Sequence, residues 1–186
     1  AVSALAYRAE LVRREGKLRQ AQSQFLQALD LATDKRGSRM PIANRMLVGL
    51  GDIAREWNDL DEADRYVHEG IELAGRWSQA DALSANLVLA RIGQARGDWE
   101  AVHKALRAMR QAAVEFKATE ADDRIADMVE AWMQIAQGEL DGPRRWAERY
   151  GLLRSVDLSR SVAGEDGFAR RLRKYEFSVA ARLWIA

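Results

Sequence analysis

A helix rich in small residues, a short turn holding Gly or Asn, a hydrophobe two residues on, and a second helix recur four times along the chain. The turns are Glu15-Gly16-Lys17-Leu18, Trp57-Asn58-Asp59-Leu60, Arg96-Gly97-Asp98-Trp99 and Gln137-Gly138-Glu139-Leu140. Their turn residues, 16, 58, 97 and 138, are spaced by 42, 39 and 41. Gly and Asn accept the left-handed backbone that ends a helix. Asp98 and Asp141 are placed to cap the following helix or complement its dipole. Leu18, Leu60, Trp99 and Leu140 pin the two helices across each turn, and Ala21, Ala63 and Ala101 permit a close crossing. Larger residues fill the next turns: Phe25 and Leu29; Val67, Ile71 and Leu73; Leu106 and Met109; Trp146 and Tyr150. A single hairpin of this kind cannot bury its apolar face alone, so each unit leans on the next.

The first helices carry matching stripes at helical spacing. These are Leu47, Leu50, Gly51 and Ala54; Leu83, Leu87, Ala90 and Ile92; and Ile125, Met128, Trp132 and Ile135. Helices are predicted at about 2–15, 18–33, 39–57, 60–76, 79–96, 99–116, 118–137, 141–151 and 168–186. The repeats fall at about 1–36, 37–77, 78–117 and 118–152, followed by a loop at 153–167 and the first helix of a further repeat at 168–186. Ala1 already lies within a helical pattern and Ala186 ends one without a cap signal, so the chain is expected to be part of a longer protein. The expected architecture is an all-α solenoid of about four and a half hairpins in one domain.

Composition agrees. Of 186 residues, 48% are hydrophobic, enough for a continuous core, and only Pro41 and Pro143 are prolines, which suits long helices. The absence of cysteine excludes disulfides, cysteine zinc sites and thiol nucleophiles, and fits a cytoplasmic setting. A formal charge of +1 provides no global field demanding nucleic acid or an anionic membrane. No apolar run reaches the roughly 18 residues needed to span a bilayer.

Several residue groups invite a chemical reading. Asp64, His68 and Glu72 share a helix face, but a metal needs converging ligands and a supporting shell, and a solvated face with ion pairs serves as well. His103 has no acidic neighbour at helical spacing. The acidic runs Asp59-Asp61-Glu62-Asp64 and Glu120-Asp122-Asp123 sit at helix starts, where they complement the dipole. Basic clusters at Arg8-Arg13-Arg14-Lys17-Arg19 and Arg170-Arg171-Arg173-Lys174 are interleaved with acids and read as solvated or interdomain faces. The tryptophans at 57, 77, 99, 132, 146 and 184 mostly fall at repeat-core phases. With no catalytic triad or paired buried carboxylates in the pattern, an enzyme is not expected.

The segments QAQSQFLQALDL (Gln20 to Leu31) and LDEADRYVHEGIEL (Leu60 to Leu73) resemble the second helix of a tetratricopeptide (TPR) repeat. The repeat length near 40 exceeds the usual 34 residues. The blocks LVGLGDIAREWNDLDEADRYVHEGIELA, LVLARIGQARGDWEAVHKALRAM, WMQIAQGELDGPRRWAERYGL and RKYEFSVAARLWIA resemble the TPR-like helical sensor region of MalT-like, large ATP-binding LuxR-type transcriptional regulators. That resemblance implies a TPR-like α-α superhelix that binds a small-molecule inducer or regulatory protein, flanked in the same chain by NTPase and helix-turn-helix domains, with possible self-association. ATP would belong to the upstream domain, since no phosphate loop is present here, and neither nucleic acid nor membrane is expected to touch this region directly. The alternative is a freestanding TPR scaffold that captures peptides. In TPR-like stacks the first helix of each pair lines the concave face. By that register the inward residues are Tyr7, Glu10 and Arg14; Arg45, Asp52 and Arg55; Arg91 and Gln94; Trp132; and Arg182.

Overall fold

A computed structural model describes residues 2–74, 79–115, 119–153, 167–183 and 185. Among them are nine α-helices and no strand, with one isolated antiparallel bridge between Thr33 and Arg39. The helices are α1 (Val2–Arg14), α2 (Leu18–Leu31), α3 (Ala43–Glu56), α4 (Leu60–Ala74), α5 (Gln79–Arg96), α6 (Trp99–Glu115), α7 (Glu120–Ala136), α8 (Asp141–Arg149) and α9 (Gly167–Arg182). They form two compact units, Ala1–Ala112 and Ala113–Ala186. None of the described helices is long and apolar enough to cross a membrane.

All four turn residues have the left-handed backbone the sequence predicts: Gly16 at φ 78°, Asn58 at 61°, Gly97 at 71° and Gly138 at 81°. Each turn closes in the same way. The residue after the turn residue donates its N–H back across the helix end: Lys17 to the Val12 carbonyl, Asp59 to Ala54, Asp98 to Gly93 and Glu139 to Gln134. This 6→1 bond satisfies carbonyls that the helix end would otherwise leave open. The next helix starts at once. The Asp98 carboxylate accepts from the Ala101 N–H at 3.0 Å and caps α6, whereas Asp141 lies in the first turn of α8 without a capping bond.

In the first unit, α1, α3 and α5 are the first helices of three hairpins, and α3 packs against α1, α2, α4 and α5. That central position explains its sequence: eleven residues from Ala43 to Ala54 are buried, Arg45 being the exception. Ala6, Ala9, Phe25, Ala28, Leu29, Met46, Leu47, Leu50 and Ile53 form one core cluster. Val48, Ala54, Ala63, Val67, Ala85, Val88 and Ile92 form the next. Helix–helix approach is close where small residues were predicted to permit it. A Cβ on Gly51 would stand 2.5 Å from a Val67 methyl and 3.0 Å from the Ala63 carbonyl oxygen.

In the second unit α7 packs against both α8 and α9. Ala131, Trp146, Ala147, Leu152, Val179 and Ala180 make its core, with Met128, Trp132, Ile135 and Tyr150 half-buried around it. The fully buried Glu176 of α9 is held by Arg124 of α7 through Nε–Oε1 at 2.9 Å and Nη2–Oε2 at 2.6 Å. Arg124 also lies 4.9 Å from the centre of the Tyr150 ring, and the Tyr150 hydroxyl donates to Asp127 at 2.9 Å.

Three expectations change. The third helix begins at Ala43 rather than near 39. Residues 33–40 form a tight loop in which one Asp34 carboxylate oxygen accepts from the Arg36 and Ser38 N–H groups, Gly37 is left-handed, and Pro41 then provides no N–H. Trp57 is not in the core: it is the C-cap residue of α3 and 44% exposed. Arg13 is no surface cation, since its side chain is only 19% exposed and is bonded on two sides. The expected loop at 153–167 falls almost wholly outside the described residues, as do Trp77, Trp184 and the side chains of Arg170, Arg171, Arg173 and Lys174.

Candidate functional site

The first unit brings three helices into matching register. Helix α1 carries Ser3, Tyr7, Glu10 and Arg13 about a turn apart; α3 carries Arg45, Gly49, Asp52 and Arg55; α5 carries Ser84, Val88, Arg91 and Gln94. These are equivalent positions counted back from Gly16, Asn58 and Gly97, so side chains of one level meet across the stack. All of these but Arg55 and Gln94 line a recess of about 420 Å³.

Gly49 shapes its floor. A Cβ there would sit 2.5 Å from Cζ of Phe25, so the absence of a side chain on the middle helix lets the Phe25 ring of α2 rise into the recess. Val48, Leu87 and Val88 complete an apolar surface, and Tyr7 stands at the edge, 65% exposed.

Asp52 is the hub of the polar side. Its side chain is 5% exposed and accepts from three guanidinium groups on three helices: Arg13 at 2.5 Å, Arg55 at 2.8 Å and Arg91 at 3.3 Å to both oxygens. Glu10 accepts a fork from Arg13, two bonds of 2.8 Å, and a third bond from Arg14 at 2.7 Å. Arg55 also pairs with Glu56. Burial pushes the Glu10 carboxyl up, but the bonds and charges of Arg13 and Arg14 outweigh it and hold the group below the usual carboxylate range. Burial pulls Arg13 down, and Glu10 with Asp52 more than compensates. Arg91 is different: burial lowers it, the Asp52 charge offsets only part, and the neighbouring Arg55 and Arg13 charges add to the lowering.

Of the residues predicted to face inward, Tyr7, Glu10, Arg14, Arg45, Asp52 and Arg91 line the recess. Arg55 stands beside it, bonded to Asp52. Gln94 is half-buried on α5 and is not part of the lining. Trp132 and Arg182 belong to the second unit, where the Arg182 guanidinium lies 5.8 Å from the Trp132 ring centre. Sequence reasoning missed Arg13, Ser3, Ser84, Gly49 and Phe25. The signal for Arg13 was present, because it occupies the same position before its turn as Arg55 does. Among the described residues no group of His, Asp and Glu could hold a metal ion.

Helix pairs closed by left-handed turns, stacked in the first unit with their first helices side by side, define a TPR-like repeat protein. The chain belongs to the family of MalT-like TPR regions, whose description matches residues 1–186. No curated protein and no solved structure matches it.

Proposed function

We propose that this chain is the effector-sensing and protein-interaction region of a MalT-like transcriptional regulator of the LuxR type, a cytoplasmic protein with NTPase and helix-turn-helix domains elsewhere in its sequence. The region binds a small inducer or a regulatory partner on the shared face of α1, α3 and α5. The observation that carries this reading is the recess itself: about 420 Å³, within the size range of small-molecule sites, with an apolar floor and converging polar groups. Family membership over the whole chain supports it over a freestanding peptide scaffold.

The Asp52 hub suggests how binding is transmitted. Arg13, Asp52 and Arg91 tie together the first helices of three successive hairpins, each partner 39 residues from the next. A ligand that draws on these groups alters the ties between hairpins and shifts the population toward one arrangement of the stack. The region binds and relays; it carries out no chemical step of its own.

The test is a thermal-shift screen of small metabolites. A ligand at 100 times its dissociation constant adds about 2.7 kcal/mol of stability. Ser84→Trp fills the recess from an exposed position and should abolish the shift while leaving the helical circular dichroism unchanged. A metabolite whose shift survives that substitution binds elsewhere and refutes the reading; a screen in which nothing shifts the wild-type chain removes the small inducer and leaves the regulatory partner.

A further inference from the structure

Counted back from Gly16, Asn58 and Gly97, the lining of the recess falls into levels. Ser3, Arg45 and Ser84 stand at one end, and Glu10, Asp52 and Arg91 at the other. Between them lies the level of Tyr7, Gly49 and Val88, with Ala6, Val48 and Leu87 one residue earlier on each helix. The charged groups of the lining are all engaged. Glu10 holds Arg13 and Arg14, Asp52 holds Arg13 and Arg91, and Arg45 makes interactions of its own. An anion would have to draw a guanidinium away from these carboxylates, and a cation would have to draw a carboxylate away from two or three guanidinium groups. Either exchange leaves a shielded charge without its partner, which is costly.

What the recess keeps for a visitor is its middle. There α3 raises no side chain: Gly49 has none, and the tip of the Phe25 ring takes the place its Cβ would fill. The result is a gap over the middle helix, with the aromatic Tyr7 on the α1 side and the aliphatic Leu87 and Val88 on the α5 side. We propose that this gap seats an uncharged small molecule with a flat, largely apolar ring. The ring lies over Gly49 and the tip of Phe25, beside Tyr7, where apolar burial and ring contact hold it. The exposed hydroxyls of Ser3 and Ser84 meet polar atoms on one edge of the ligand. Its other edge abuts the level of Glu10, Asp52 and Arg91, where the ties between hairpins lie. This assignment rests on the reading of the same face as the effector site, and adds the chemical class.

The experiment is calorimetric titration of the 186-residue chain with indole, phenol, cyclohexanol and glucose 6-phosphate at millimolar concentration. Indole and phenol should bind, indole the more tightly because it buries more ring. Cyclohexanol, which keeps the hydroxyl and loses the flat ring, should bind about fivefold more weakly than phenol. Glucose 6-phosphate should not bind. Raising sodium chloride should not weaken the binding of indole, since no charge on the ligand is there to be screened. Tyr7→Ala, at a position 65% exposed and so safe for the fold, should weaken indole about fivefold. Ser84→Trp should abolish its binding. Tyr175→Ala, which removes an exposed aromatic of α9, should leave it unchanged. No binding by indole or phenol, cyclohexanol binding as tightly as phenol, a loss of affinity with salt, or indifference to Tyr7→Ala would overturn the proposal. Glucose 6-phosphate that binds the wild type and is lost in Ser84→Trp would remove the neutral ring and keep the effector site. A ligand that binds the Ser84→Trp chain with full affinity would remove both.

Discussion

Asp52 is a buried carboxylate shared by three guanidinium groups. Taking a charge out of water costs several kcal/mol, and a buried cluster persists only while its members compensate one another. Removing the carboxylate leaves Arg13, Arg55 and Arg91 facing one another across three helices. Asp52→Ala should therefore lower unfolding stability by about 3 kcal/mol in urea denaturation. Asp52→Asn, which keeps one acceptor oxygen, should cost less. Equal losses would mean that the retained acceptor contributes nothing without the charge, and no loss in Asp52→Asn would mean that the charge contributes nothing beyond its hydrogen bonds. Glu10 adds a pH dependence of known sign. Its carboxyl is held below the ordinary glutamate value in the folded chain, so its contribution is fully present above an unfolded pKa of about 4.3 and is lost as pH falls through the folded value. The wild-type chain should lose more stability than Glu10→Gln when urea midpoints are compared between about pH 6 and about pH 3.5. Parallel losses would show that Arg13 and Arg14 do not favour the ionised form.

The turn is the element in which sequence and structure agree most closely, because the left-handed residue is a local requirement that few side chains meet. Asn58 meets it at a cost that Gly avoids. Asn58→Gly should leave stability unchanged or raise it by a few tenths of a kcal/mol, whereas Gly97→Ala, at φ 71°, should lower it by about 1 kcal/mol. No heavy atom lies within 4 Å of an added Cβ at Gly97, so the loss would report backbone conformation rather than a clash. The same local logic makes the helices legible in the sequence. Legibility failed where the cause is not local. From the sequence Arg13 belongs to a solvated basic cluster, because its partner Asp52 is 39 residues away. Phe25 looks like ordinary hairpin filling in the sequence, because only the tertiary approach of α2 to Gly49 brings its ring into the recess. Helix α3 starts later than the pattern predicts, because Arg39 and Met40 pair back to Thr33 and Ala32 and Pro41 follows them.

At the scale of the molecule, what matters is that the recess and its hub are built entirely within the first unit. Every lining residue lies between Ser3 and Arg91, and that unit extends to Ala112. Repeat stacks draw their stability from neighbouring hairpins, and about three are enough for an independent fold. The first unit contains three, with α3 buried between its neighbours on both sides. A chain of residues 1–115, cut after the last residue of α6, should fold cooperatively and keep the helical circular dichroism of six helices. It should also bind any recess ligand within about threefold of the affinity of the whole chain, since none of the contacts has been removed. The comparison separates two ideas about how the repeats work. Retained folding with retained binding would make the first three hairpins the recognition module, leaving the second unit, with Arg124 bonded to its buried Glu176, free for relay. Folding with lost binding would mean that the recess depends on residues beyond α6, and would overturn the assignment of recognition to α1, α3 and α5.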